Sequence, residues 1–159
     1  KNKKKFECYI ANDNSIGQVV ISGKTKNLEL MINELNKSNI KNIRLPVSAP
    51  FHCVLMNSAS NIMKKELNNI KFSTPSNEIV LNVTAAPSKE PEMIKNLLID
   101  QIEKSVRWRE SIIHMINAGT KKFIEIGPGK VLSGLVKRID RNVELIQVNN
   151  ISDLNKLRN

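Results

Sequence analysis

The chain has 159 residues, with 25 Lys and Arg against 15 Asp and Glu, two Cys and two His. This length suits one domain with a real core, and 40% hydrophobic with 25% charged residues is typical of a globular chain. No run of about 18 uncharged apolar residues occurs, so no transmembrane helix is predicted. Two Cys do not make a disulfide framework, so we expect a reducing compartment.

The formal charge of +10 is the strongest bias of the sequence. It suggests nucleic acid, an anionic membrane or an acidic protein as partner. The chain also contains 21 Asn, 19 Lys and 20 Ile, as an AT-rich gene would encode, so much of the Lys is interpreted as drift on a solvated surface. Aromatic residues make up only 4% of the chain and form no stacking platform for bases. We therefore expect neither nucleic acid nor a membrane as partner.

The first 47 residues predict the order strand, strand, helix, strand. Residues 6–10 and 18–22 are short strands, and the polar residues 12–17 between them have the composition of a turn. A helix follows with Thr25 as its expected N-cap, and residues 43–47 form the last strand. The apolar face of that helix consists of Leu28, Met31, Ile32 and Leu35.

The rest of the chain alternates helices and strands, which predicts an α/β fold with a mostly parallel sheet. Residues 79–83 are almost continuously apolar, as expected of a strand buried on both faces, and residues 86–88 are a predicted loop. The other predicted elements are helices at 55–67, 92–104, 108–118 and 131–139 and strands at 122–126 and 144–148.

His52 is the strongest candidate for a catalytic side chain. It lies between a proline-containing break at residues 48–50 and a predicted helix, a place where functional side chains are often displayed. Histidine also titrates closest to neutral pH. A structural histidine is the alternative that spacing alone leaves open. His114 lies inside an amphipathic helix and belongs to no motif.

Gln101 is the second candidate. It falls on the apolar stripe of the predicted helix 92–104, where an unpaired amide would cost about 1–3 kcal/mol. It therefore needs a specific hydrogen-bond partner, which is either a nearby backbone group or a functional one.

Neither cysteine chemistry nor a metal is suggested. Cys53 follows His52 directly, and adjacent side chains at a helix start point apart, so a Cys–His nucleophile pair is not expected. Two His and two Cys at scattered spacing match no zinc pattern. We predict no metal site.

The Gly-Pro-Gly-Lys turn at residues 127–130 joins a strand to a helix, as phosphate loops do. It fails the P-loop pattern because Val131 follows Lys130, and it fails the dinucleotide pattern because Leu132 stands at the third glycine position. A tight structural turn is the favoured interpretation, in which Lys130 can still meet an anion.

Five segments together strongly resemble the malonyl-CoA:acyl carrier protein transacylases, the loading enzymes of dissociated (type II) fatty acid synthesis. The resemblance spans essentially the whole chain, in order and without large gaps. The segments are 10–23 (IANDNSIGQVVISG), 45–52 (LPVSAPFH), 82–85 (NVTA), 106–108 (VRW) and 125–138 (EIGPGKVLSGLVKR).

The resemblance implies an α/β-hydrolase-like large subdomain with a ferredoxin-like small subdomain inserted into it. Residues 1–47 would then be the later half of the small subdomain. Residues 48–159 would be the C-terminal part of the large one.

The resemblance also implies a mechanism, ping-pong transfer of malonyl from malonyl-CoA to the phosphopantetheine thiol of acyl carrier protein. The Pro-x-His motif falls on His52, the general base, and the family's His-orienting Gln falls on Gln101, whose main-chain carbonyl would hold the imidazole. No further cofactor is implied. Residues assigned to substrate binding are Asn12, Asn14 and Phe51, and those assigned to carrier-protein docking are Lys130, Lys137 and Arg138.

One part of the family pattern is missing. The family's nucleophile is a Ser in G-x-S-x-G, and no such motif occurs in this sequence. We therefore expect the chain to be a C-terminal portion of a longer enzyme, inactive by itself. The complete enzyme is expected to be a soluble monomer in a bacterial-type cytoplasm or a plastid-like stroma.

Two other functions stay open at this point. One is an acyltransferase domain of a multifunctional synthase that loads another acyl group. The other is a non-catalytic basic module that docks an acidic carrier protein.

Overall fold

The structure, a computed structural model, describes residues 6–157. This range contains both helices and strands. The strands are β1 (Tyr9–Ser15), β2 (Gln18–Ser22), β3 (Ile79–Leu81), β4 (Ala86–Ser88), β5 (Lys122–Ile126) and β6 (Glu144–Val148). The helices are α1 (Thr25–Lys37), α2 (Asn57–Asn68), α3 (Pro91–Asp100), α4 (Trp108–Asn117) and α5 (Val131–Ile139), with 3₁₀ helices at Val54–Met56 and Ile151–Leu157.

β1 and β2 form an antiparallel hairpin that is longer than predicted. Ser15 pairs with Gln18, so the turn is only Ile16 and Gly17, and Gly17 takes a φ of +76°. The predicted strand at 6–10 therefore starts only at Tyr9 and runs on to Ser15, and only the last two residues of the predicted turn at 12–17 form the turn. Residues 12–15 are polar, but Asn12, Asp13 and Ser15 pair with β2, and backbone pairing outweighs side-chain polarity here.

The α1 helix forms as predicted, although Lys24 rather than Thr25 is its N-cap and no side chain caps it. None of its residues is buried. The predicted strand at 43–47 was wrong, because no strand within residues 6–157 pairs with it. Ile43 is 75% exposed.

β3 and β4 form a second antiparallel hairpin, in which residues 86–88 are a strand rather than the predicted loop. The chain turns at residues 82–85, where Ala85 takes a φ of +55° and donates its N–H to the Leu81 carbonyl at 2.8 Å. This turn ends β3 early, and Ile79 is 41% exposed, so the prediction of a strand buried on both faces at 79–83 was wrong.

β5 and β6 are parallel and in register from Lys122 with Glu144 to Ile126 with Val148, and α5 connects them. Among the described residues these are the only two strands that pair in parallel, and the sheets are all two-stranded. The α/β fold is confirmed, whereas the mostly parallel sheet is not formed within this range because β5 and β6 pair only with each other.

The core lies where α4 and α5 pack against β1. Its most buried side chains include Ala11 of β1, Ile112 of α4 and Val136 of α5. Val106, just before α4, is hydrogen-bonded to the backbone of β1. Its N–H donates to the Ala11 carbonyl at 2.8 Å, and its carbonyl accepts the Asp13 N–H at 2.9 Å. This junction fixes the start of α4 beside the hairpin.

Candidate active site

The His52 loop is held in an unusual backbone conformation. His52 takes a φ of +58°, the left-handed region in which non-glycine residues are uncommon and which recurs at functional sites. The Ser22 hydroxyl at the end of β2 donates to the Phe51 carbonyl at 2.6 Å. This bond ties the loop to the hairpin one residue before the histidine.

The imidazole of His52 contacts the main chain of Gln101. Nδ1 lies 2.7 Å from the Gln101 carbonyl oxygen. This carbonyl is available to the imidazole because Gln101 follows the last residue of α3, and the last carbonyls of a helix have no partner within the helix. A carbonyl only accepts, so Nδ1 carries the hydrogen and the neutral ring presents Nε2 as its acceptor. A half-buried imidazole in this tautomer is suited to remove a proton at Nε2.

The side chain of Gln101 has its own partner. Its Oε1 accepts a hydrogen bond from Asn82 Nδ2 at 3.0 Å, and both side chains are half-buried. The prediction that this amide needs a specific partner is met by a side chain in the turn after β3.

A groove of about 620 Å³ opens beside His52. Its walls carry charges of both signs, and the residues that line it are Glu7, Tyr9, Ile10, His52, Cys53, Val54, Glu103, Lys104 and Ser105.

The residues predicted to bind substrate do not line this groove. Asn12 and Asn14 lie half-buried on β1, where Asn12 forms a parallel bridge with Val106. Phe51 is 47% exposed although it adjoins His52. Their roles stay predictions.

Cys53 is buried, and its thiol donates to the Pro50 carbonyl at 3.1 Å. Cys8 is buried as well. Burial raises the pKa of its thiol, and the neighbouring Cys53 raises this pKa further. The Cys8 thiol therefore stays protonated at neutral pH, as in a structural rather than a nucleophilic cysteine.

Two ion pairs at the start of α4 were not predicted. The Arg107 guanidinium holds Glu110 and donates to the Thr84 carbonyl at 2.9 Å, and this pairing lowers the pKa of Glu110. Arg109 pairs with both carboxylate oxygens of Asp13, its closest contact being 2.6 Å, and this raises the pKa of Arg109. The i, i+3 spacing signals the first pair, but the second spans 96 residues and has no local signal.

His114, the other histidine, is exposed on α4. It lines a separate groove of about 290 Å³ with Thr84, Ala85, Arg107, Glu110 and Ile113.

A carboxylate caps the helix that follows the Gly-Pro-Gly-Lys turn. Glu125 of β5 accepts the N–H groups of Leu132 at 3.0 Å and of Ser133 at 2.8 Å, in the first turn of α5. Burial would raise the pKa of Glu125, but these bonds and the Ser133 hydroxyl together lower it. The place where a phosphate would bind is thus filled by the protein's own anion, which favours the structural interpretation of the turn.

The residues predicted to dock a carrier protein lie at this end of the molecule. Lys130, Lys137 and Arg138 are all exposed. The Arg138 guanidinium also donates to the side-chain oxygen of Gln18 and so links α5 to the hairpin.

Across residues 6–157, no three His, Cys, Asp or Glu side chains cluster in a way that could hold a metal ion. Within the same range, no helix is both long and apolar enough to cross a membrane.

Comparison with known proteins decides the family. The acyl transferase domain family matches residues 2–154. This chain belongs to that family. Relatives include the malonyl CoA-acyl carrier protein transacylases of Bacillus subtilis, 44% identical over 141 residues, and of Synechocystis, 35% identical over 151 residues. The matches cover 87% and 95% of this chain but only 44% and 51% of those proteins.

Solved structures show the same pattern. The malonyl CoA-acyl carrier protein transacylase of Clostridium perfringens superposes with a TM-score of 0.91 at 38% identity, covering 98% of this chain and 50% of the other. A malonyl-transacylase in complex with its type II PKS acyl-carrier protein gives a TM-score of 0.88 at 34% identity over 94% of this chain and 48% of the other. The chain therefore spans about half the length of the relatives it matches.

Proposed function

We propose that this chain supplies the general-base half of a malonyl-CoA:acyl carrier protein transacylase. The observation that supports it best is the 2.7 Å contact between His52 Nδ1 and the Gln101 carbonyl, in a chain whose relatives bear that name. The contact leaves Nε2 as a proton acceptor beside an open groove.

The reaction proceeds in two halves. His52 Nε2 takes the proton of a Ser hydroxyl in the G-x-S-x-G segment, the Ser oxygen attacks the malonyl thioester, and the proton passes to the departing CoA sulfur. The phosphopantetheine thiol of the carrier protein then gives its proton to Nε2 and attacks the malonyl-Ser ester, and the proton returns to Ser. General-base assistance of this kind contributes about 10²–10⁴-fold. No cofactor beyond the two substrates takes part.

The finer fold assignment follows the same proposal. Residues 1–47, with their hairpin and helix, are the later half of a ferredoxin-like small subdomain. Residues 48–159, with the parallel β5–α5–β6 unit, are the C-terminal part of an α/β-hydrolase-like large subdomain. The Ser segment belongs to the half of the fold that this chain does not span, so the chain alone has no turnover.

The partners are malonyl-CoA and acyl carrier protein. We place the docking surface for the acidic carrier protein at the exposed Lys130, Lys137 and Arg138, since opposite charge steers such encounters. Asn12, Asn14 and Phe51 are retained as substrate-binding residues. The complete enzyme is proposed to act as a soluble monomer in a reducing compartment, a bacterial-type cytoplasm or a plastid-like stroma.

A chimera tests this proposal. Residues 1–159 replace the matching region of the Bacillus subtilis relative, and malonyl transfer to carrier protein is measured. We expect an active chimera whose His52→Ala variant loses at least about 10²-fold in rate while its circular dichroism is unchanged. The matched control, His114→Ala, should stay within about twofold, because that side chain lies on the other groove.

Four results would overturn the proposal. The first is full transfer by the folded His52→Ala chimera, and the second is turnover by the isolated chain. The third is a preference of the chimera for another acyl-CoA, which would point to a domain of a multifunctional synthase. An inactive but folded chimera that binds carrier protein would instead indicate a docking module.

A further inference from the structure

We propose that Asn82 is a positioning residue that holds the Gln101 carbonyl toward His52. The inference rests on the proposed function only for the role of His52. The series of hydrogen bonds that carries it is present in the structure whatever that role is. It runs from Asn82 Nδ2 to Gln101 Oε1 at 3.0 Å, and from the Gln101 carbonyl to His52 Nδ1 at 2.7 Å.

Gln101 needs such a fixing bond because of where it stands. It is the C-cap of α3, with φ −63° and ψ −16°, so it donates its N–H to the Leu97 carbonyl at 3.0 Å. Its own carbonyl lies beyond the helix's hydrogen bonds, and helix ends fray readily. A second bond, made through the side chain, restricts the rotation of the residue whose carbonyl His52 uses.

Asn82 is itself anchored at the backbone. Its carbonyl accepts the Arg107 N–H at 2.9 Å, and Arg107 follows Val106, which is bonded to β1. Asn82 thus connects the end of α3 to the rigid junction between β1 and α4. Because the backbone of Asn82 is held in this way, its side-chain amide can fix the orientation of Gln101.

The tautomer of His52 reports this role directly. In ¹⁵N-labelled chain at alkaline pH, where imidazoles are neutral, NMR resolves the ring nitrogens of the two histidines in the sequence. We expect His52 to be predominantly Nδ1–H. The Asn82→Leu variant, which keeps the shape but removes the amide, should lower the ratio of Nδ1–H to Nε2–H forms by roughly 2- to 10-fold, the worth of one neutral hydrogen bond.

Three further variants sharpen the test. Gln101→Met removes the acceptor but leaves the turn at Asn82 intact, so it should shift the tautomer by a similar factor. The double variant should shift it no further than either single one. Asn82→Asp should restore the wild-type ratio, because the Gln101 amide can rotate and donate to the carboxylate.

The matched control is Asn42→Leu. Asn42, like Asn82, donates to a side-chain amide oxygen, Asn36 Oδ1 at 2.7 Å, but on the exposed surface away from the groove. It should leave His52 unchanged, and the His114 signal serves as an internal reference.

The proposal is overturned if folded Asn82→Leu or Gln101→Met keeps the wild-type tautomer ratio, which would make the bond purely structural. If Asn82→Leu does not fold, Gln101→Met alone decides. Because the readout requires no turnover, loss of activity in the chimera with an intact Asn82 effect would count against the proposed function and not against this inference.

Discussion

The His52 loop and the segment from residue 25 to residue 47 adjoin in sequence but differ in how the fold holds them. The surroundings of His52 are fixed by bonds between distant parts of the chain, such as Ser22 to Phe51 and Gln101 to His52. The side chains of the 25–47 segment make shorter-range bonds, such as Asn42 to Asn36, and the bond from Asn27 to Glu7, 20 residues away, is exposed and long at 3.4 Å. It buries none of its α1 residues, and Ile43 is 75% exposed.

The two regions also differ in whether their apolar side chains are packed against other parts of the chain. Ile112 packs where α4 meets β1, whereas Ile43, Leu45 and Val47 are exposed along a segment without helix or strand. Ile124 and Ile126 of β5 are exposed in the same way. Because the relatives are about twice as long, we infer that these exposed side chains belong under the half of the fold that the chain does not span.

Removing side chains of equal size from the two regions should give the largest difference. Ile112 is 1% exposed, so Ile112→Ala leaves a cavity and should cost about 2–5 kcal/mol in free energy of unfolding. Ile126 is 80% exposed, so Ile126→Ala should change it by no more than about 0.5 kcal/mol. Urea unfolding of both variants measures the difference. Equal losses would mean that Ile126 is already covered.

Glu125 lies between the exposed Ile124 and Ile126 of β5, but its replacement should affect stability because its carboxylate is hydrogen-bonded. Glu125→Gln removes the carboxylate that accepts the first N–H groups of α5, and it should cost about 1 kcal/mol at neutral pH, as loss of a helix cap does.

The effect of Glu125 should depend on pH in a definite direction. Its pKa in the folded state lies below the ordinary value of 4.5. Its contribution is therefore complete above the unfolded-state pKa and is lost as the pH falls through the folded-state pKa. The free energies of unfolding of the wild-type chain and of Glu125→Gln should therefore converge as the pH falls below 4.5 and through the lower folded-state pKa. Curves that stay parallel down to acid would show that the carboxylate is not the stabilising group.

The sequence predicted elements well where the pattern is local. The helices from α1 to α5 follow from apolar spacing, and β5 and β6 from short apolar runs. It failed at strands whose existence depends on a partner: residues 43–47 have none within the range that the structure describes, whereas β1 pairs with β2 despite its polar residues. Strand formation is decided by pairing across the chain, which spacing does not contain.

In the candidate site, too, the sequence predicted the individual residues but not the contacts between distant parts of the chain. The resemblance assigned His52 and Gln101, and the place of Gln101 on the apolar stripe of the predicted helix predicted that its amide needs a partner. Spacing held no sign that the partner is Asn82, 19 residues upstream, or that Asp13 pairs with Arg109. Such contacts follow from the packing of α3 and α4 on the hairpins.

The smallest effect in the isolated chain should come from Ile43→Asp, and this variant tests the comparison most directly. An exposed side chain tolerates a charge, so the free energy of unfolding of the isolated chain should stay within about 0.5 kcal/mol of wild type. In the Bacillus subtilis chimera the same carboxylate would be buried without a partner and should cost more than about 1 kcal/mol, seen as a lower Tm. Ile16→Asp at the tip of the hairpin, where Ile16 is 86% exposed, is the matched control. If Ile43→Asp is as harmless in the chimera as in the chain, the segment is a free surface in both, and its apolar residues need another explanation than the missing half of the fold.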